Sequence, residues 1–248
     1  MSGHSKWSTI KRKKGAADAK RGQAFTRLAR EITVAARTGL PDPELNPRLR
    51  LAMTRARSES MPKDNIDRAI ERGSADTGGE NYEEVYYEGY GPGGVAVMIL
   101  TMTDNRNRTV GEVRAALTRS GGTLGENGSV GWMFDQVGLI TVAANADADE
   151  LALLAIDAGA VDVQVEDDLV EVWTEPQSLH KVQEALAAAG FEAETAELTM
   201  RPTTMMAPEP DVAVRALKLL EKLDDLEDVQ QVYSNLDVPD EAFVEARP

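Results

Sequence analysis

Several residue types and patterns that define common protein classes are missing from this chain of 248 residues. It contains no cysteine, which excludes disulfide bonds and thiolate metal sites. No apolar run approaches the roughly 20 residues that a membrane helix requires, and no signal-peptide apolar region follows the basic start. We therefore expect a cytoplasmic protein that does not contact a membrane.

Side chains that usually carry catalysis or bind metals are also scarce. His4 and His180 are the only histidines, and neither stands in the pattern of a catalytic triad or a zinc site. The acidic runs 166–168 and 224–228 offer carboxylates to Mg²⁺, but solvated charges in a turn or at a helix end explain them better. We expect no metal, no cofactor and no enzymatic activity.

Charge of each sign is concentrated in a different part of the chain. Residues 1–78 contain 17 Lys and Arg against 9 Asp and Glu, a net charge of +8. Residues 79–248 contain 10 against 33, a net charge of −23. This segregation indicates that one end of the chain meets a polyanion and that the rest repels one.

Apolar periodicity in the first part predicts three helices. The first has Phe25, Leu28 and Ile32 on one face and ends at Gly39, the second opens at Pro47, and the third opens at Pro62. The stretch before Ala16 has too few apolar residues to join their core. Residues 1–78 are therefore predicted to form a basic N-terminal tail and a helical domain.

The remainder alternates strands and helices. Residues 82–134 predict a ββαβ segment that ends in a strand over 129–134, and residues 139–200 predict a ferredoxin-like βαββαβ unit. A helix and a strand follow between 212 and 233. We predict an α+β protein in which a discontinuous domain, 79–135 plus 203–248, contains an inserted ferredoxin-like domain, 136–202.

The basic start has the features of a phosphate-binding segment. Seven cations fall between Lys6 and Arg21 with Asp18 as the only acid, and Trp7 is suited to stack on a base. A solvated tail without a partner is the alternative, but the charge continues onto the predicted outer faces of the helices. The candidate nucleic-acid-binding residues are Lys6, Trp7, Lys11, Arg12, Lys13, Lys14, Lys20, Arg21, Arg27 and Arg30.

A second group of cations lies at the start of a predicted helix. Arg106 and Arg108 are unfavourable there against the helix dipole, which suggests that an anionic partner holds them. A capping loop with two exposed arginines is an equally good interpretation. We treat the pair as a possible secondary anion site.

Five motifs between the first residue and Phe134 are specific enough to be compared with a known family. They are Met1–Trp7, Met61–Ile66, Tyr87–Ala96, Thr103–Thr109 and Gly128–Phe134. Together they resemble the YebC/PmpR family, although relatives often carry another residue at Gly131. The resemblance implies a helical N-terminal domain and two α/β domains around a central cleft. It also implies a cytoplasmic, non-enzymatic regulator, usually described as transcriptional and DNA-binding, with mitochondrial relatives that resemble translational activators.

Taken together, these features predict a monomeric regulator of gene expression that binds DNA through its basic N-terminal region. The alternative is a translation factor that binds RNA or the ribosome and activates translation or relieves stalling, because phosphate contacts do not distinguish DNA from RNA. The acidic domains would offer a face to a basic protein such as RNA polymerase or a ribosomal protein. A small-molecule sensor is a third interpretation, which rests on fold analogy.

Overall fold

The computed structural model describes residues 18–75, 82–143, 147–165, 169–239 and 242, with side chains from Gln23 onward. Within these residues the chain is an α+β protein with two four-stranded sheets, which confirms the predicted fold class. The helices and strands, in chain order, are α1 (Asp18–Thr38), α2 (Pro47–Ser58), α3 (Lys63–Ser74), β1 (Glu83–Tyr90), β2 (Ala96–Thr103), α4 (Arg106–Arg119), β3 (Thr123–Leu124), β4 (Phe134–Ala143), α5 (Ala148–Ala158), β5 (Ala160–Val165), β6 (Leu169–Thr174), α6 (Leu179–Ala188), β7 (Ala193–Pro202), α7 (Pro210–Asp224) and β8 (Val229–Ser234).

The elements group into two compact units. The first comprises the described residues up to Ala52, Pro62–Phe134 and those from Pro202 onward. The second comprises Met53–Met61 and Asp135–Arg201. Each unit has its own sheet.

The N-terminal helices pack through small residues and one capping side chain. The backbone at Gly73 in α3 lies so close to the Thr33 carbonyl of α1 that a Cβ there would clash, and the Thr33 hydroxyl donates to the Ala69 carbonyl at 3.1 Å. Asn46 caps α2 by accepting from the Leu49 amide at 3.1 Å, and its side-chain amide donates to the Ala35 carbonyl at 2.9 Å. These contacts fix the three helices against one another.

The sheet of the first unit has the order β3-β1-β2-β8. Strands β1 and β2 form an antiparallel hairpin, and β8 pairs antiparallel with β2 although it follows β2 by more than a hundred residues. Helices α4 and α7 bury their apolar faces against this sheet, with Ile99, Leu117 and Leu220 fully or almost fully buried. The prediction that the segments before and after the inserted unit complete one another is confirmed.

The sheet of the second unit has the order β5-β6-β4-β7, which is the ferredoxin-like order. Helix α5 starts at the Asp147 cap and ends at Gly159, whose φ of +114° only glycine adopts readily. The core is formed by side chains such as Ile140, Val172 and Leu186, each with no exposed surface. Alternation of strands and helices along the chain was therefore enough to predict this unit.

One predicted strand is wrong. Residues 129–134 were expected to form a strand, but the structure has a loop and a short 3₁₀ turn at Gly131–Met133, and β4 begins only at Phe134. The amides of this loop bond to a carboxylate rather than to a neighbouring strand, as described below. No helix in the described part of the chain combines the length and the apolar character needed to cross a membrane.

Candidate nucleic-acid interface

Of the ten predicted nucleic-acid-binding residues, only Arg27 and Arg30 have described side chains. Residues 6–14 lie outside the described residues, and Lys20 and Arg21 are described only as backbone of α1. The two residues of the predicted secondary site, Arg106 and Arg108, are both described. The structure therefore places four of the predicted cations.

Side chains of α1 bind the chain where α7 ends. We call Asp224–Asp228 the acidic turn. Gln23 Nε2 donates to the Asp225 carbonyl at 2.9 Å, Arg27 donates to the Asp224 carbonyl, and Arg30 Nη1 donates to the Glu227 carbonyl at 2.7 Å. A helix C-terminus leaves its last carbonyls without partners and carries partial negative charge, so donor and cationic side chains suit it.

Arg30 is the most buried of these α1 side chains, with only 7% of its surface exposed. Its guanidinium pairs with Glu227 at 2.7 Å and with Asp228 at 3.2 Å, and it lies 5.2 Å from the centre of the Tyr82 ring. The expectation that Arg30 lies on an outer face of its helix is wrong, because the acidic turn covers it. In this structure Arg27 and Arg30 tie α1 to the acidic turn.

Asp228 is the centre of this network and was missed by sequence reasoning. Its side chain is 1% exposed and accepts hydrogen bonds from Arg108 at 2.7 Å, Thr109 at 2.7 Å and Thr103 at 3.1 Å, besides the pair with Arg30. Burial raises the pKa of Asp228, but these donors outweigh it and hold the pKa below its ordinary value. Asp228 is therefore a buried, ionised carboxylate and not a solvated turn charge.

The motif Thr103–Thr109 is built around this carboxylate. Asn105 caps α4 by accepting from the Arg108 amide at 3.1 Å, and the Arg108 guanidinium bonds to Asp104 as well as to Asp228. These two carboxylates raise the pKa of Arg108 above its ordinary value. The anion that holds Arg108 at a helix start is thus part of the same chain.

Arg106 differs from Arg108 in its exposure. Its guanidinium pairs with Glu83 at 2.8 Å, with more than half of each side chain exposed. Such an exposed pair contributes at most about 1 kcal/mol and opens readily. The structure therefore brings Arg30 and Arg108 together on Asp228 and leaves Arg106 at the surface.

A second buried carboxylate explains the loop that replaces the predicted strand. Glu88 of β1 accepts from the backbone amides of Gly128 at 2.8 Å, Val130 at 2.7 Å and Gly131 at 2.7 Å. Burial raises the pKa of Glu88, and the three amides lower it to a net value below the ordinary one. The loop next presents Trp132, which is 73% exposed and donates from its indole nitrogen to the Ser129 carbonyl at 3.2 Å.

The described residues offer little to a metal. Among them no group of three or more His, Asp or Glu side chains is arranged to hold an ion. His180 lies exposed on α6 beside Glu184, 3.3 Å away. What the described residues do provide is a set of buried carboxylates that organise loops and helix ends.

Comparison with known proteins places the chain in a family. Residues 5–76 match the family model described as the TACO1/YebC protein N-terminal domain, and residues 82–236 match the TACO1/YebC second and third domain. A protein of Trichlorobacter lovleyi is 55% identical over 238 residues, covering 96% of each chain, and one of Chloroflexus aggregans is 56% identical over 245 residues, covering 97% of each. Both are named "Probable transcriptional regulatory protein".

A solved structure agrees with the sequence matches. The crystal structure of a conserved hypothetical protein, Aq1575 from Aquifex aeolicus, matches with a TM-score of 0.85 and 46% identity, covering 90% of this chain and 92% of that one. Both domain models and the solved structure therefore account for nearly the whole chain. The chain belongs to the TACO1/YebC family.

Proposed function

We propose that this chain is a non-enzymatic regulator of gene expression that binds nucleic acid through its basic segment, residues 6–21. The observation that carries the proposal is that several arginines with described side chains are already bound to carboxylates of the same chain. Arg27, Arg30 and Arg108 are bound to the acidic turn, whereas the densest run of cations in the sequence, Lys11–Lys14, lies N-terminal to them in the basic segment. That segment carries seven cations and one acid.

Within this proposal Arg27 and Arg30 have a supporting role. They fasten α1 to the acidic turn, and the basic segment continues directly into α1. A binding segment attached to a fixed helix loses less conformational freedom on binding than one attached to a mobile linker. Lys6, Trp7, Lys11–Lys14, Lys20 and Arg21 would then make the phosphate and stacking contacts.

We favour DNA and a role in transcription, because relatives that are more than half identical are named as transcriptional regulators. The net charge of −23 on residues 79–248 supports contact through the N-terminal region alone, since it repels a polyanion within about 8 Å, the Debye length at physiological salt. Phosphate contacts serve RNA equally well. A translation factor that binds RNA or the ribosome is therefore the alternative outcome of the test below.

The test is crosslinking in cells, followed by sequencing of bound DNA and RNA from the same lysate. It compares the full chain with the variant K11E/R12E/K13E/K14E. The matched control is R114E/R119E/K218E/K222E, which reverses four exposed cations of the α/β part and changes the net charge equally.

We expect DNA crosslinks that the first variant loses and the control keeps. Predominant crosslinks to ribosomal or messenger RNA, lost in the same variant, would favour the translational alternative. Equal crosslinking by both variants would refute binding through the basic segment.

A further inference from the structure

The motif Thr103–Thr109 contains more polar groups than the start of α4 requires. Asn105 supplies the cap of this helix by accepting from the Arg108 amide. The side chains of Thr103, Arg108 and Thr109 have a different target. They bond to one oxygen of Asp228, Oδ2, at 3.1, 2.7 and 2.7 Å. Capping of α4 therefore does not account for the three groups that meet on this oxygen.

The two carboxylate oxygens of Asp228 are divided between two parts of the first unit. Oδ2 is bound by the start of α4, whereas Oδ1 accepts from Arg30 of α1 at 3.2 Å. The backbone of Asp228 is held as well, because its carbonyl accepts from the Met102 amide of β2 at 2.9 Å. With its backbone and one oxygen fixed, the carboxylate directs its second oxygen at the Arg30 guanidinium.

Arg30 belongs to a stripe of α1 that contacts the acidic turn. Gln23, Arg27 and Arg30 are spaced i, i+4 and i+7, so they share one face of the helix. Gln23 and Arg27 bond to backbone carbonyls, and Arg27 also faces the Asp224 carboxylate with both side chains partly exposed. In the Arg30–Asp228 pair both side chains are buried, and a buried pair is screened by salt much less than an exposed one. The placement of α1 on the acidic turn therefore depends strongly on the direction of the Asp228 carboxylate.

We propose that Thr103, Arg108 and Thr109 are positioning residues for α1, which act through Asp228 on Arg30. They hold Oδ2 so that Oδ1 meets the guanidinium, and the guanidinium fixes α1 on the acidic turn. The motif Thr103–Thr109 thereby links the sheet of the first unit to the N-terminal helix.

This link affects binding because the basic segment continues into α1. Arg21, the last cation of the segment, lies nine residues before Arg30, which is about 14 Å along a helix at 1.5 Å per residue. On the basis of the proposed function, loss of the link frees α1 and increases the conformational entropy that is lost when the segment binds nucleic acid. The affinity then falls although no residue of the basic segment has changed.

The test changes single hydroxyl groups of the full chain. T109V removes the hydroxyl from a side chain that is 1% exposed and nearly keeps its shape, whereas T109S keeps the hydroxyl. The matched control is T101V, because Thr101 is also buried in the first unit but donates to the Val85 carbonyl, at 2.8 Å. R30Q removes the other end of the link. Circular dichroism checks the fold of each variant, and mass spectrometry follows hydrogen exchange of α1.

We expect α1 to exchange about tenfold faster in T109V than in the parent chain, and close to the parent rate in T109S and T101V. Because Thr109 acts through Arg30, adding T109V to R30Q should leave the exchange of α1 unchanged. Equal acceleration by T109V and T101V, or further acceleration when T109V is added to R30Q, would overturn the proposal. If R30Q does not fold, the comparison of T109V with T109S and T101V decides.

Fluorescence anisotropy with a labelled DNA duplex separates this inference from the proposed function. T109V changes no charge, and we expect it to weaken binding about threefold or more, while T109S and T101V bind like the parent chain. Parent-like affinity in T109V would overturn the role of the motif in binding. Absence of DNA binding by the parent chain would refute the proposed function, and hydrogen exchange would still decide whether the motif positions α1.

Discussion

Replacing Asp228 by Asn tests whether the buried carboxylate holds the first unit together. The substitution keeps the shape of the side chain but removes the charge that balances Arg30 and Arg108. Breaking a buried ion pair by removing one partner costs about 3–5 kcal/mol, and we expect about 3 kcal/mol here because Arg108 keeps Asp104 as a partner. The Asn side-chain amide would also direct its own N–H groups at side chains that donate hydrogen bonds to Asp228, namely Arg108, Thr109 and Thr103.

The measurement is thermal unfolding by calorimetry. For a chain of this size, about 3 kcal/mol corresponds to a fall in Tm of roughly 6–12 °C. The matched control is D225N in the same acidic turn, where the carboxylate is exposed and the contact to Gln23 uses the backbone carbonyl. We expect D225N to change the free energy of unfolding by no more than about 0.5 kcal/mol. If D228N and D225N shifted Tm equally, the network would contribute no more than surface charge and the reasoning would fail.

Three further predictions follow from other contacts. E88Q should lower the free energy of unfolding by about 1–3 kcal/mol in urea titrations, because a neutral amide replaces a carboxylate that accepts three backbone amides; an unchanged midpoint would contradict this. The pKa values of Asp228 and Glu88 are both lowered in the folded protein, so the stability that these carboxylates contribute is complete above the unfolded pKa of about 4 and is lost as the pH falls through the folded pKa. The free energy of unfolding of D228N should therefore fall less steeply with decreasing pH than that of the parent chain. Parallel curves of unfolding free energy against pH would refute this. G73A should cost about 1–3 kcal/mol in the same urea assay because the added methyl group meets the Thr33 carbonyl, with G111A, where the space is open, as its control.

Local patterns were sufficient to predict most of the helices and strands and much of the topology. The alternation of strands and helices identified the ferredoxin-like unit, and the apolar stripe of Leu28 and Ile32 identified α1. What the sequence could not reveal were partners far apart in the chain. Arg30 and Asp228 are separated by 198 positions, so the helical periodicity of α1 placed Arg30 off the apolar face but could not show that the acidic turn covers it.

The sequence predicted the chemical character of the candidate site, clustered cations suited to an anion, but not the groups that these cations bind. The helix dipole suggested an anionic partner for the arginines at the start of α4, with exposed capping arginines as an equal alternative. Arg108 has such a partner in Asp228 of the same chain, whereas Arg106 forms an exposed pair with Glu83. Likewise, residues 129–134 resemble a strand in composition, and only the position of Glu88 on a neighbouring strand turns them into a loop. The role of residues 6–21 stays a prediction.

The salt dependence of nucleic-acid binding tests the central claim most directly. Fluorescence anisotropy with a labelled DNA duplex gives log K against log salt for the full chain and for K11E/R12E/K13E/K14E. With about five phosphate contacts we predict a slope of about −4 to −5 for the full chain, and a slope reduced in magnitude by about 3 to 4 for the variant. A slope near zero for the full chain, or the same slope for both proteins, would contradict binding through the basic N-terminal segment.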